Sequence, residues 1–261
     1  VVVDPHLTPD LSSRVALVTG GAGGIGAGIA AWLARCGARV VVADVDEPRA
    51  AEVAEAIGGL AVRCDVSRPA DNRTAVAAAV EAFGGLDVVA LNAGVGTGAP
   101  FPALSEEQYR RAVGVNLDGV VLGIQAVVPA LRARGGGRIV VTASLAGLAP
   151  VPLDPVYAAT KAAAVAFVRS IGPELAGQGV VVNALCPGFA DTAIVDPVRE
   201  LLAAGGIPLM PVDDVVDAFA AVLASETVGE AWMLQAGRPA APYRFRGVPA
   251  PRSSGSGGDE G

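Results

Sequence analysis

Tyr157 and Lys161, spaced four residues apart in Y-A-A-T-K, are the strongest chemical signal in the sequence. On a helix, positions i and i+4 project from one face. A phenol ordinarily keeps its proton at neutral pH, with a pKa of about 10. A neighbouring ammonium favours the phenolate and brings Tyr157 toward a working general acid/base range. Composition sharpens the pair, because Lys161 is the only lysine among 19 basic residues and stands beside one of only three tyrosines. Arginine is a planar fork that stays charged, whereas lysine is a compact point charge on a flexible stem. Ser144 closes the run V-V-T-A-S, thirteen residues before Tyr157. Its hydroxyl is placed to hydrogen-bond a substrate oxygen beside the phenol.

A second constellation lies near the start of the chain. T-G-G-A-G-G-I-G, from Thr19 to Gly26, follows an apolar run and precedes an Ala-rich one. It parses as G-x-G-x-x-G through Gly21, Gly23 and Gly26, or as T-G-x-x-x-G-x-G through Gly20, Gly24 and Gly26. Either way glycines at a strand-to-helix turn let backbone amides and a helix N-terminus approach a pyrophosphate. Asp44 ends the second β-branched run, eighteen residues after Gly26. A carboxylate there accepts hydrogen bonds from ribose hydroxyls and repels a 2′-phosphate. With Val45 next to it and no basic residue within the glycine loop, the expected cofactor is NAD rather than NADP.

The elements that must position these residues follow one pattern. From residue 14 onward, β-branched runs alternate with Ala-rich segments of helical length, the signature of an α/β fold with a doubly wound parallel sheet. Seven strands are expected at 14–19, 39–44, 60–64, 86–91, 138–143, 179–184 and 231–234. Helices are expected at 24–36, 47–57, 69–83, 105–133 with a break, 154–176 and 212–224. Asp154 and Pro155 mark a helix start. Residues 189–211, with Gly205-Gly206 and weaker periodicity, read as a mobile segment over the sheet's carboxyl edge. The expected division is a 1–13 extension, a 14–236 dinucleotide-binding domain and a 237–261 segment, Gly/Ser-rich and disordered from about 252.

Composition excludes several classes. A net charge of −7 with no basic run disfavours nucleic acid. The longest apolar stretches are strand-sized or, at 119–131, interrupted by Gln125, so no membrane span is expected. The first ten residues hold neither a basic start nor a long apolar segment, so a cytoplasmic location is expected. Cys36, Cys64 and Cys186 are odd in number and widely spaced, and His6 is the only histidine. Neither a disulfide framework, a Ser-His-Asp triad nor a metal site is expected. The partner is a small molecule.

In these motifs the sequence resembles the short-chain dehydrogenase/reductase family over roughly residues 12 to 236. Further family marks are Asp65-Val66, N-A-G at Asn92–Gly94, Asn116 in V-N-L-D-G, and P-G-F-A-D-T from Pro187 to Thr192. The resemblance implies the T-G-x-x-x-G-x-G parse, with Gly20, Gly24, Ile25 and Gly26 around the pyrophosphate. It implies that Asp65 and Val66 contact adenine and that Asn92, Ala93 and Gly94 support the cofactor. Pro187, Gly188 and Thr192 would hold the nicotinamide end, and Lys161 would bond the nicotinamide ribose. Asn116 would kink its helix and hold a water in a proton relay from Lys161. The implied chemistry is hydride transfer between nicotinamide C4 and a carbinol carbon, with Tyr157 moving the hydroxyl proton and Ser144 binding that oxygen. The implied assembly is a homodimer or homotetramer paired through helices 105–133 and 154–176. The chain departs from the family at its last strand, where W-M-L-Q-A-G-R-P replaces D-G-G. The stretches 96–102, 145–153 and 189–210 would face the substrate and are apolar, which points to a largely apolar secondary alcohol or ketone. A catalytically inactive dinucleotide-binding protein and a non-redox lyase or epimerase using bound NAD are the competing readings.

Overall fold

The structure is a computed structural model and describes residues 10–247. Seven strands run parallel: β1 (Val15–Thr19), β2 (Arg39–Asp44), β3 (Leu60–Arg63), β4 (Val88–Leu91), β5 (Gly137–Thr142), β6 (Val180–Pro187) and β7 (Ala231–Leu234). Their order in the sheet is β3-β2-β1-β4-β5-β6-β7. The sequence wound away from β1 in one direction and returns beside it at β4, so the two carboxyl ends part there into a crevice. In this class of sheet that crevice is the ligand site. The register sets Thr19 beside Leu91, and the glycine loop and N-A-G leave the sheet side by side.

Side chains alternate between two cores because the central strands are buried on both faces. From β1, Val15 and Leu17 enter a layer with Ile124, Leu131 and Val168. Ala16 and Val18 enter the opposite layer with Ile29, Leu33 and Phe219. The first layer is covered by α3 (Pro69–Phe83), α5 (Gly119–Ala133) and α6 (Pro155–Ala176), the second by α1 (Gly24–Arg35), α2 (Glu47–Ile57) and α8 (Val212–Ala224). Local signals set the ends. Asp46 caps α2 by accepting from the Arg49 amide, and Gly58 closes it at φ 65°. α4 (Glu106–Val113) opens with a reciprocal Ser105–Gln108 capping box.

Three expectations change. The break foreseen in 105–133 is a π turn at Gly114–Asp118 joining α4 to α5 without interruption. The joined helix, Glu106–Ala133, is long and apolar enough to cross a membrane by length and composition. It instead commits Val120, Ile124, Val127 and Leu131 to the core. Residues 189–211 are not irregular: they hold a helical turn at Ala193–Val198 and α7 (Arg199–Ala204). The segment is pinned at its base where Asp191 N–H donates to Met210 O and Met210 N–H to Phe189 O, both at 2.8 Å. Finally, the sheet extends past residue 236. An eighth strand, β8 (Ala241–Pro242), pairs antiparallel with β7 and covers part of an edge that would otherwise present unpaired backbone. The tail from about 252 and His6 lie outside the described residues.

Candidate active site

The glycine loop distinguishes its two parses. Gly20 and Gly24 have φ of 63° and 51°, the left-handed region that favours glycine. A Cβ on Gly20 would stand 2.7 Å from Ala93 Cα, and one on Gly26 would stand 2.0 Å from Gly20 O. Gly23 is extended and has open space except for Arg49 Nη2, 3.5 Å from where its Cβ would lie. Gly21 is also tight, its Cβ position 2.8 Å from Val42 Cγ1 and 3.1 Å from Val18 O, so the dispensable glycine is Gly23, which G-x-G-x-x-G needs and T-G-x-x-x-G-x-G does not. Asn92 braces this turn from β4, its Nδ2 donating to Thr19 O and Gly20 O at 3.2 Å. Thr19 Oγ1 accepts from the amides of Asn92 and Ala93 at 3.0 and 3.3 Å. Asn92 and Ala93 thus hold the glycine loop from β4.

Asp44 stands at the end of β2, half-buried. One oxygen accepts from Ala22 N–H and the other from Asp46 N–H, each at 3.0 Å. Both oxygens retain acceptor capacity toward ribose hydroxyls. Arg49, in the first turn of α2, brings to this end of the cleft a positive charge that local spacing along the loop does not reveal. Asp65 lies one strand further out, where Ser67's hydroxyl, opposed by burial, holds its carboxyl below the usual range. Its Oδ1 accepts from Ser67 Oγ at 2.6 Å. Val66 packs against Gly119, with little of its side chain left to face a ligand. Thr192 lies against Gly24, 3.1 Å from its Cβ position, so the 189–210 segment reaches over the glycine loop. Gly188 is held by its amide on Leu234 O at 2.9 Å.

At the other end of the crevice, β5, β6 and α6 bring Ser144, Tyr157 and Lys161 together. Ser144 Oγ accepts from Ala146 N–H at 3.1 Å and reaches Pro187 O at 3.5 Å. Lys161 is 3% exposed, and its ammonium donates to Thr142 O at 2.9 Å. Burial lowers its pKa to about 8. The ammonium has three donors and one is so used. Beside it Gly94 lacks a side chain, since a Cβ there would be 3.2 Å from Nζ. That vacancy, the glycine cradle and Asp44 fit a dinucleotide lying along the crevice.

Tyr157 differs from the expectation in one respect. Burial pushes its phenol above its ordinary value, opposed by the Ser144 hydroxyl and assisted by the negative charge of Asp154. The Lys161 ammonium lies 5.7 Å from the ring centroid, drawn to the Thr142 carbonyl, and does not offset the desolvation. Asn116, fully buried in the π turn, grips Val95 at both ends: Oδ1 accepts from its N–H and Nδ2 donates to its C=O, both at 2.8 Å. Nδ2 also donates to Thr160 Oγ1 at 3.1 Å, and Thr160 donates to Tyr157 O at 2.7 Å. The side chain is spent on holding the loop after β4. Thr160 and Asp154 were missed as site residues because their partners are remote in sequence.

A family model described as short chain dehydrogenase matches residues 14–202. The chain belongs to the short-chain dehydrogenase family. Among relatives of this dehydrogenase, galactitol 2-dehydrogenase of Agrobacterium fabrum is 40% identical over 184 residues, covering 69% of this chain and 72% of the relative. Borneol dehydrogenase, mitochondrial, of Lavandula x intermedia is 37% identical over 185 residues, covering 70% and 71%. Of solved structures, the 3-ketoacyl-(acyl-carrier-protein) reductase of Brucella melitensis complexed with NADH superposes with a TM-score of 0.80 at 34% identity, over 87% of this chain and 99% of that one. This short-chain dehydrogenase is accordingly an NAD(P)-dependent oxidoreductase acting on the CH–OH group of alcohols or the matching ketones.

Proposed function

We propose that this dehydrogenase prefers NAD and interconverts a largely apolar secondary alcohol and its ketone, with Ser144, Tyr157 and Lys161 as catalytic residues. The observation that carries the reading is their convergence beside the switch-point crevice whose far end holds Asp44. The dinucleotide, when bound, supplies the hydride acceptor or donor. Ser144 Oγ orients the substrate oxygen, and Tyr157 Oη takes or returns its proton. Lys161 places its remaining donors toward the ribose and its charge toward the site. At neutral pH the raised phenol is a proton donor, suited to ketone reduction, whereas alcohol oxidation needs the phenolate and gains with rising pH.

Asp44 supports NAD. Two backbone amides fix its carboxylate at the strand end, where a 2′-phosphate would meet a negative charge. Arg49 sits on the exposed side of the loop and is free to turn to solvent. The relatives named for galactitol and for borneol do not agree on substrate polarity, so the chain's own cleft argues the class. Phe101, Leu153 and Ile194 are exposed in the loops that follow β4, β5 and β6, and such side chains favour an apolar ligand. Partly exposed Val121 and Leu122 on α5 support a homo-oligomer.

The test follows NADH absorbance with a panel of secondary alcohols and ketones, run with NAD and NADP in parallel. Turnover is expected with apolar members and NAD, and loss of turnover in folded Tyr157→Phe and Lys161→Ala. Asp44→Ala is expected to weaken NAD far more than NADP. Near-normal rates in either catalytic variant overturn the assignment, and equal losses for both cofactors remove Asp44 from the preference.

A further inference from the structure

After β4 the chain passes through residues 92–100 without regular structure, linking the cofactor end at Asn92–Gly94 to the apolar stretch 96–102. Two side chains from elsewhere in the fold hold it. Asn116 takes both polar groups of Val95. Asp154 takes the amide of Thr97, which donates to Oδ2 at 2.9 Å. The other oxygen of the same carboxylate, Oδ1, accepts from the amide of Tyr157 at 2.9 Å. Thr97 is buried, and its hydroxyl turns back onto Ala99 O at 3.1 Å, so the loop is compact at the point where it is held.

A helix N-cap needs one acceptor, and serine, threonine or asparagine supplies it as well as aspartate does. Asp154 instead presents two acceptors to two backbone donors that lie 60 residues apart in sequence. From this geometry we infer that Asp154 is a positioning residue. It fixes the Thr97 side of the substrate cleft to the first turn of the helix that carries Tyr157, so that substrate carbon and phenol meet in register. The inference rests on the proposed alcohol/ketone chemistry of that cleft. The groups facing the Tyr157 phenol are the Ser144 hydroxyl after β5, Cys186 on β6, Lys161 one turn along α6 and Asp154 at its start. Among these Asp154 carries the negative charge, and that charge works with burial to keep the phenol protonated.

Three variants separate the two jobs. Asp154→Ser keeps a cap for Tyr157 N–H and is too short to reach Thr97. Asp154→Asn keeps the reach but offers one oxygen for two donors and removes the charge. Asp154→Ala removes both contacts. In Asp154→Ser, site-resolved hydrogen exchange is expected to show loss of protection at the Thr97 amide with the Tyr157 amide still protected. Substrate KM is expected to rise roughly tenfold with kcat within about threefold of wild type. NAD affinity, read by fluorescence titration, is expected to stay within about twofold. In Asp154→Asn the pH profile for alcohol oxidation is expected to move to lower pH, because a negative charge near the phenol is gone. Unchanged protection at Thr97 in Asp154→Ser overturns the clamp. Loss of protection without a rise in KM, or a fall in NAD affinity matching that rise, overturns the positioning role. Absence of wild-type turnover across the whole panel defeats the proposed chemistry itself, and the positioning role with it, while the exchange measurement still decides the clamp.

Discussion

Single residues at this site differ in how strictly the backbone demands them, and the glycine loop makes that measurable. Gly26 has no room for one added carbon, and Gly20 combines left-handed backbone with a close approach to Ala93. Gly23 has neither constraint. Gly23→Ala is therefore expected to retain NAD affinity within about threefold, whereas Gly26→Ala loses it or fails to fold. Comparable loss in both, in titrations with folding checked by circular dichroism, would contradict the assignment. Lys161 carries a cost of another kind. Burial lowers its pKa from 10.5 to about 8. Between those values the unfolded chain holds a proton that the folded chain lacks, so the penalty is full below about pH 8 and relaxes as pH rises toward 10.5. Lys161→Met is expected to be more stable than wild type at pH 7 by ~2 kcal/mol. Denaturant titrations at pH 7 and pH 10 check this, with the gap expected to shrink at the higher pH. A lysine kept where it destabilises the free protein is the mark of a group retained for its chemistry.

Elements show where local sequence stops being informative. Most of the seven parallel strands were legible because they are short β-branched runs, and the helices because Ala-rich segments of helical length lie between them, with Asp154 and Pro155 marking the start of one. The π turn carries no comparable mark: V-N-L-D-G has no proline, and Asn116 stood out only through the family resemblance. α7 is six residues long, too short for its periodicity to rise above the prolines and glycines around it. β8 is two residues long and includes Pro242. The glycine loop, Asp44, Ser144, Tyr157 and Lys161 were legible because strand ends and helical spacing place them. Asp154 was readable as a helix start but not as a loop clamp, since its second partner lies on another crossover. The same holds for Asn116, whose three bonds join the π turn to the loop after β4 and to α6. Asn116→Ala would leave the buried polar groups of Val95 without side-chain partners, each at a cost of roughly 1–3 kcal/mol. A loss of about 3 kcal/mol in chemical denaturation is expected, with faster exchange at the Val95 amide. A loss below about 0.5 kcal/mol would mean the loop holds itself.

At the scale of the whole molecule, the two edges of the sheet have separate work. Every candidate catalytic and cofactor residue lies at the carboxyl edge, whereas the amino edge is closed by Asp87 at the foot of β4. Asp87 Oδ1 accepts from Arg14 at 3.0 Å, and Oδ2 accepts from Val15 N–H at 2.9 Å and from Arg134 at 3.3 Å. One carboxylate thereby ties the first strand, the fourth strand and the end of α5. Burial alone would raise its pKa, but the Val15 amide and the two guanidinium groups outweigh burial and hold it below the ordinary value. A depressed folded-state pKa contributes stability that is present above the unfolded value, about 3.9, and lost as pH falls through the folded one. Removing the carboxylate leaves the Val15 amide without its side-chain acceptor, whereas Arg14 and Arg134 are exposed and can turn to water. Asp87→Ala is expected to cost about 1–2 kcal/mol at pH 7, mostly from the Val15 amide since the exposed arginines are solvated, with the difference from wild type narrowing below about pH 4. Its kcat and KM at a temperature where it is folded are expected to stay within about twofold of wild type. Tyr157→Phe should show the reverse, abolished turnover with little change in melting temperature. If Asp87→Ala instead impaired turnover as severely as it impaired stability, the two edges would be coupled through β1 and β4, and the crevice between them would depend on how firmly the sheet is closed below.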